Sequence, residues 1–369
     1  MTDRDYMLRA IELAKGGLGW TSPNPLVGAV IVKDGRIIGE GYHERCGELH
    51  AERNAIASLT ESAEGATLYV TLEPCCHYGK TPPCTEAILE QKIARVVIGS
   101  RDPNPLVSGK GAAILRAAGV RVEEDFMREE CDALNPVFFH YITKKTPYVV
   151  MKYAMTADGK IAARTGDSKW ITGESARKKV QELRHRYMGI MAGIGTVLAD
   201  DPMLNVRIPG LKSPVRIICD SGLRIPMDSK IVKTAKEYRT IVAYAGEHSG
   251  EGCKEAEEKE EQLHTAGVET VSVPDADGRV DLRKLMEYLG KQGIDSVLLE
   301  GGGTLNDAAL SAGIVNEICA FIAPKIFGGA GAKTPVSGIG VAHPAEAVKL
   351  TLRQMETIGD DLMLRYSVD

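Results

Sequence analysis

Two α/β domains in succession are what this sequence predicts, on three observations. At 369 residues the chain is longer than one core usually spans. Short apolar runs alternate with helical patterns in both halves, and such alternation buries a sheet between helices. At Lys144-Lys145-Thr146-Pro147 the pattern stops, and it restarts at Tyr148 with motifs the first half does not share. The expected domains are therefore 1–145 and 146–369.

The first half opens on a charged amphipathic helix over 3–16, whose apolar positions are Tyr6, Met7, Ala10, Ile11 and Ala14. After Pro23-Asn24-Pro25 come a strand (28–33), a turn at Asp34-Gly35 and a second strand (36–41). A helix over 51–59, a strand over 67–72 and a helix over 85–92 follow. The helix begins after Pro82-Pro83, where a missing N–H costs nothing. A strand (94–99), a helix (111–118) and a strand (121–123) complete the half, and 138–147 reads as its exit.

Two segments carry chemistry. His50-Ala51-Glu52 offers an imidazole and a carboxylate; Cys75 and Cys84 offer two thiolates. One His and two Cys make a three-ligand zinc set with an open fourth position, the mark of a catalytic site. Water there has its pKa lowered toward neutrality. In zinc deaminases the Glu beside the ligand His carries the proton from that water to the leaving amine. Residues two apart on a helix point to different sides, so His50 and Glu52 share a site only end-on, at a first turn. Cys84 also falls in a first turn, where the helix dipole favours thiolate. Eight residues separate Cys75 from Cys84, where the general deaminase pattern has two. Cys76 is adjacent to Cys75, so its side chain is expected to point elsewhere. The loop between holds His77, Lys80 and Thr81, residue types suited to phosphate. A structural zinc site, with His77 or Cys76 as fourth ligand, is the competing reading.

The second half starts with a strand over 148–155. Period two places Val150, Lys152, Ala154 and Thr156 on one face. Lysine in such a strand reads first as an edge or snorkelling residue. Asp158-Gly159-Lys160, a helix (173–185) and a strand (189–192) follow, then Gly193-Ile194-Gly195-Thr196 and Asp200-Asp201-Pro202. A strand (215–219) ends in Asp220-Ser221. A strand (296–300) ends in Gly301-Gly302-Gly303, directly before a helix (304–312). A glycine-rich turn between a strand and a helix N-terminus can cradle phosphate on free N–H groups. It lacks the full G-x-G-x-x-G fingerprint, and tight turns alone would also explain the glycines. The Glu- and Lys-rich stretch 247–266 reads as a solvated helix or loop.

Composition narrows the function. Residues 1–145 carry 17 Lys+Arg against 20 Asp+Glu, and 146–369 carry 28 against 30. With a net charge of −5, neither half is built for a nucleic acid, though a small phosphorylated substrate remains open. An appended-domain nucleic-acid deaminase and a zinc-stapled scaffold without catalysis are the weaker readings. Eight cysteines without a disulfide-like framework, beside a zinc set, suggest a reducing compartment. The N-terminus lacks the apolar core of a signal peptide, and no apolar run approaches the ~18 residues of a membrane span. A cytoplasmic protein without membrane contact is expected.

The motif order resembles that of the bifunctional riboflavin-biosynthesis deaminase–reductases over nearly the whole chain. In the first half the resemblance rests on Asn24-Pro25-x-Val27-Gly28, His50-Ala51-Glu52, Glu73-Pro74-Cys75, Gly79-Lys80-Thr81-Pro82-Pro83-Cys84 and Asp102-Pro103-Asn104-Pro105. In the second it rests on Lys152-x-Ala154-x-Thr156-x-Asp158-Gly159, Gly193-x-Gly195-Thr196, Asp200-Asp201-Pro202-x-Leu204 and Glu300-Gly301-Gly302. That family has the long Cys–Cys spacing. The resemblance implies a cytidine-deaminase-like three-layer domain followed by a dihydrofolate-reductase-like α/β domain, with one Zn2+ per chain and NADPH. It implies deamination of a diaminopyrimidinone ribosylamine 5′-phosphate, then reduction of the ribosyl group to ribityl. His50, Cys75 and Cys84 would hold zinc, and Glu52 would be catalytic. Asn24, His43, Lys80, Asp102 and Asn104 would hold the first substrate. In the second domain Lys152 and Asp200 would be catalytic, and Arg184, Arg207 and Glu300 would bind substrate. Ala154, Ser168, Trp170, Thr196, Asp200, Ser221, Gly301 and Gly302 would contact NADPH. A homo-oligomer without nucleic-acid or membrane partners is expected.

Overall fold

A computed structural model describes residues 1–78, 82–105, 107–246 and 253–369. The chain forms two compact units, Met1–Lys145 and Thr146–Asp369.

In the first unit α1 (Asp3–Ala14) precedes β1 (Gly28–Lys33), β2 (Arg36–Tyr42), α2 (Ala51–Ala57), β3 (Thr67–Leu72) and α3 (Cys84–Glu90). Then come β4 (Arg95–Ser100), α4 (Lys110–Ala117), β5 (Arg121–Glu123), α5 (Arg128–Asp132) and α6 (Pro136–Lys144). Thr2 caps α1 reciprocally with Asp5, each side chain meeting the other's backbone N–H. The sheet order is β2-β1-β3-β4-β5, with β1 antiparallel to both neighbours and β3, β4 and β5 parallel. Strand alternation sorts the side chains into two cores. Ala29, Ile31, Leu68, Val70, Val96 and Ile98 pack under the helices that follow, with Ala55 and Ile88. Val30, Val32, Tyr69 and Val97 face Tyr6, Met7, Ala10 and Ile11 of α1. A sheet buried on both faces makes three layers. The expected exit segment is instead mostly the helix α6, with proline in its first turn; the link shrinks to Lys145-Thr146-Pro147.

The second unit runs β6 (Tyr148–Thr156), α7 (Glu174–Arg186), β7 (Gly189–Gly193), α8 (Ile194–Asp200), β8 (Val215–Cys219), α9 (Lys230–Lys233) and β9 (Thr240–Tyr244). It continues with α10 (Cys253–Thr265), β10 (Glu269–Ser272), α11 (Leu282–Lys291), β11 (Ser296–Leu299), α12 (Gly303–Ser311), β12 (Val315–Ala323), β13 (Leu350–Ile358) and β14 (Asp361–Val368). The described part of the Glu- and Lys-rich stretch is α10; residues 247–252 lie outside the described residues. The nine-stranded sheet has the order β10-β9-β8-β7-β11-β6-β12-β14-β13. It is parallel up to β12 and antiparallel over the final hairpin. Val149, Met151, Val297 and Leu299 pack on one face with Leu285, Leu289 and Ala309; Ile190, Ala192, Ile218 and Val242 pack on the other with Val197, Ile231 and Leu263.

Strand order reverses around β6: the chain steps from β6 past one position to β7, then returns to insert β11 between them. Parallel sheets open a crevice beyond the carboxyl ends of their strands at such a point. The turns after β7, β8 and β11 all leave at that end. Lys152 is therefore in a central strand, not at an edge, because both neighbours of β6 are supplied by later sequence. The Gly193-x-Gly195 segment is a helix start, with Gly193 as N-cap of α8. Among the described residues no helix is long and apolar enough to cross a membrane.

Candidate active sites

In the first unit two helix starts converge on the end of β3. His50 is the N-cap of α2, extended at φ −74°, ψ 163°, and Glu52 lies in the first turn, as the end-on geometry required. Gly41 lets α2 come this close to β2: a Cβ there would sit 2.3 Å from the Ala55 nitrogen. Cys84 is the first residue of α3, after Pro83 at the cap position. Arg53 of α2 donates to the Pro82 and Pro83 carbonyls at 3.2 and 3.0 Å, fixing that start.

His50 Nδ1 lies 3.5 Å from Cys75 Sγ and 3.4 Å from Cys84 Sγ, and the three ligand atoms are within 4.8 Å of one another. The donor set fits zinc: one imidazole, two sulfurs, and Cys76 outside the cluster. Cys84 N–H also donates to Cys75 Sγ at 3.3 Å. The Cys84 thiol bonding to Cys75, with help from His50, pulls the Cys75 thiol down to about 4 against its burial. The same contact, with burial, pushes Cys84 up. Burial, then the Cys75 charge, raises the Glu52 carboxyl above its ordinary range. That suits a group that must accept a proton and give it back.

The substrate positions predicted from sequence gather beside this cluster. The His43 ring stands edge-on to His50, centroids 5.4 Å apart. His43 Nδ1 is 2.9 Å from the Leu49 carbonyl, so it carries the proton there; Nε2 then accepts from Asn24 Nδ2 at 3.1 Å. Burial lowers its pKa and keeps it neutral. Asp102 is buried and accepts from Asn104 N–H at 2.8 Å. Burial, with Glu73 nearby, raises its pKa to about 6. Gly79, Lys80 and Thr81 lie outside the described residues, and with them the expectation for Lys80. The sequence reading assigned no role to Arg53 or to buried Glu73; a charged residue at the end of an apolar strand was the available signal for Glu73.

The expectation for Cys76 has a direct check. Cys76→Ser should retain one zinc per chain by metal analysis, whereas Cys75→Ser and Cys84→Ser should lose it. Zinc loss from Cys76→Ser would overturn the ligand set.

In the second unit, strand register places one charged cluster. Leu299 pairs with Met151, so Glu300, the next residue, lies alongside Lys152. Lys152 Nζ is 3.7 Å from Glu300, and Arg184 of α7 grips the same carboxylate from Nε and Nη2 at 2.8 and 3.0 Å. The three side chains are only 12–13% exposed. Burial alone would raise Glu300; the charges and hydrogen bonds of Arg184 and Lys152 win and hold it at about 2. Arg184 Nη1 donates to the Asn205 carbonyl at 3.1 Å, so the guanidinium expected to bind substrate is already engaged on all three nitrogens. Ala154 follows Lys152 on the same face of β6 and is half-buried. At the crevice, Gly302 comes within contact of Thr196, whose Oγ1 would lie 4.0 Å from a Cβ placed there. Gly302 caps α12 without a side chain, next to Gly301. Ser221 follows β8 and accepts from Val280 N–H at 3.2 Å. Asp200 ends α8, exposed. Ser168 is half-buried, and Trp170 is exposed beneath Arg177, whose guanidinium lies 4.6 Å from the ring centroid. Arg207 is exposed and lines a hollow of about 500 Å³ near the starts of β8 and β9, the strand ends opposite the crevice.

Two family models match: the cytidine and deoxycytidylate deaminase zinc-binding region over residues 1–100, and the RibD C-terminal domain over 147–364. The riboflavin biosynthesis protein RibD of Actinobacillus pleuropneumoniae is 58% identical over 100% of this chain and 96% of its own. That of Escherichia coli is 40% identical over 99% of each. The RibD structure of Acinetobacter baumannii superposes at TM-score 0.87 with 37% identity, covering 100% of this chain and 99% of that one. A diaminohydroxyphosphoribosylaminopyrimidine deaminase/5-amino-6-(5-phosphoribosylamino)uracil reductase from Thermotoga maritima superposes at 0.85 with 39% identity, covering 99% and 98%. Fold and site define a two-domain enzyme, a zinc-dependent cytidine-deaminase-like domain followed by a dihydrofolate-reductase-like domain. The chain belongs to the RibD family, and it is a bifunctional deaminase and reductase of riboflavin biosynthesis with zinc and NADPH as cofactors.

Proposed function

We propose that residues 1–145 deaminate 2,5-diamino-6-ribosylamino-4(3H)-pyrimidinone 5′-phosphate and that residues 146–369 reduce the ribosyl group of the product to ribityl. The observation that carries the first step is the His50–Cys75–Cys84 cluster with buried Glu52 beside it. Zinc held by these three ligands supplies Lewis acidity and a water of lowered pKa. Glu52 takes the proton from the attacking water and passes it to the exocyclic nitrogen, which leaves as ammonia. Neutral His43, held by Leu49 and Asn24, presents a fixed hydrogen-bonding edge to the substrate. Asp102 and Asn104 bind it from the loop after β4.

In the second step the ribosylamine would open to an imine; the crevice at Gly301 and Gly302 would hold NADPH, whose chemistry would be hydride donation to the imine carbon. The imine nitrogen then needs a proton. Lys152 is the group placed to give it, held by Glu300 within a sheet; Asp200, exposed at the end of α8, is read as a cofactor contact. Ala154, Ser168, Trp170, Thr196, Ser221, Gly301 and Gly302 line the cofactor crevice, and Arg184 acts by fixing Glu300; Arg207, at the opposite strand ends, lies outside this site. With purified chain, zinc and NADPH, the diaminopyrimidine phosphate should release ammonia and then consume NADPH. Ammonia release from a tRNA but not from this substrate would overturn the reading.

Each half should work alone. Residues 1–145 should deaminate without NADPH, and 146–369 should reduce without zinc. If neither fragment acts and their mixture does, the two sites are not contained within their units.

A second copy of the chain is the proposed cover for the end of the large sheet. β13 is an edge strand with Leu350, Leu352 and Met355 exposed, Met355 by 67%. An exposed apolar edge strand invites pairing. Light scattering should give a dimer or higher species, and Leu352→Asp with Met355→Asp should shift it toward monomer. A monomeric wild type would overturn this.

A further inference from the structure

Glu73 closes β3 two residues before Cys75, yet it belongs neither to the metal set nor to the proton path. It is only 4% exposed. Its backbone N–H donates to the Ser100 carbonyl at 3.0 Å, extending the β3–β4 pairing by one rung. Its carboxylate turns to the start of α4. There one oxygen accepts from Gly109 N–H at 2.9 Å and the other from Ala112 N–H at 3.2 Å. The cap residue of α4 is Gly109, at φ +76°, and it has no side chain to serve these donors. The cap is brought in from β3 instead, with the negative charge that a helix start favours. The approach is close: a Cβ on Gly111 would stand 2.2 Å from the Pro74 carbonyl. The start of α4 is pressed onto the very peptide that leads to Cys75.

The segment that α4 closes carries Asp102 and Asn104. Asp102 accepts from Asn104 N–H, and the Asn104 carbonyl accepts from the N–H groups of Val107 and Ser108, each at 2.8 Å. The segment holds its own shape by these turns, and Glu73 fixes its far end to the end of β3, two residues before a zinc ligand.

We infer that Glu73 is a positioning residue of the deaminase, one carboxylate that sets the Asp102–Asn104 substrate loop against Cys75. The inference rests on the proposed substrate role of that loop. Removing the carboxylate takes the acceptor from the buried N–H of Ala112 and from that of Gly109 at the exposed helix start, and the loop moves to find others. His50 and Glu52 are held by α2, Cys84 by α3, and Cys75 Sγ by the Cys84 N–H at 3.3 Å, so the loss falls on substrate binding more than on proton transfer.

The test uses the full-length, zinc-loaded enzyme and the phosphorylated diaminopyrimidine. Glu73→Ala should raise KM by about ten- to a hundred-fold, the scale of charge-assisted hydrogen bonds. kcat should fall less than about three-fold, with one zinc retained. Glu73→Gln keeps the shape and one acceptor, so it should raise KM in the same direction by less; it decides the matter if the alanine variant does not fold. On an Asn104→Ala background Glu73→Ala should cost less than about two-fold more, because both act through one loop. Unchanged KM in both Glu73 variants, multiplying losses in the double variant, or loss of zinc in Glu73→Gln would each overturn the inference. If Asn104→Ala itself leaves KM unchanged while Glu52→Gln abolishes turnover, the loop's substrate role fails and the inference with it, but the deaminase reading stands.

Discussion

Glu52→Gln is expected to keep its zinc and to lose deamination by about a hundred- to ten-thousand-fold, the usual contribution of a positioned acid–base group. The metal should stay because the ligand atoms come from His50, Cys75 and Cys84, and glutamine keeps the shape of the side chain. The chemistry should go because an amide neither takes the proton from water nor returns it to the departing nitrogen. Burial supports the assignment. A carboxyl held above its ordinary range by desolvation binds a proton more readily than a solvated one, so it can serve both halves of the transfer. Metal analysis and ammonia release on the same preparation separate the two effects. Retention of more than about a tenth of the wild-type rate would mean that Glu52 is not the shuttle. NADPH consumption with the deaminated substrate should be unaffected, since that step is assigned to the other unit.

Glu300→Gln should destabilise the second unit by about 3 kcal/mol and abolish reduction. The carboxylate is the shared counter-charge of Lys152 and Arg184, each 13% exposed, and the amide would leave both cations without it. The pH dependence carries a sign. The folded pKa of about 2 lies below the ordinary 4.5, so the stabilising contribution is present above the unfolded value and is lost as pH falls toward the folded one. Melting of wild type and variant should therefore differ by a constant amount near neutrality, roughly 10 °C for a unit of this size. The gap should close between about pH 4.5 and pH 2. Adding Arg184→Met should recover part of the loss, because the cost is the unpaired charge more than the missing pair. Identical melting of wild type and Glu300→Gln at neutral pH, or a gap that does not change in acid, would show that the cluster is not the ion trio it looks to be. The deaminase rate is the internal control.

The cores of both units were legible because strand and helix periods are local properties of the chain. Ala29 and Ile31 alternate with Val30 and Val32 whether or not a partner strand is known, and the expected strands over 28–33, 67–72 and 215–219 are the observed ones. Other elements also carry a local signal: Thr240–Tyr244 is a plain apolar run, and Leu282–Lys291 is strongly amphipathic after its Asp281 cap. The segment that ends the first unit is the helix Pro136–Lys144, and the link after it begins one residue beyond Lys144.

His50, Glu52, Cys75 and Cys84 stand in the sequence as a ligand set and a proton carrier. Residue chemistry and helix geometry alone required His50 and Glu52 to meet at a first turn. Sequence also determined that the chain has two unlike halves, since their motifs do not repeat. It could not determine what Lys152 is. A lysine in an apolar strand is an edge residue or a buried ion according to which strands flank it. Those neighbours, β11 and β12, come from about 150 residues further along the chain. Nor could it tell that Arg184 is spent on Glu300, or that Glu73 caps a helix 36 residues downstream. Register and strand order bring such groups together. Both are set by which distant apolar faces bury each other best, a property of the packed whole that no local run of residues contains.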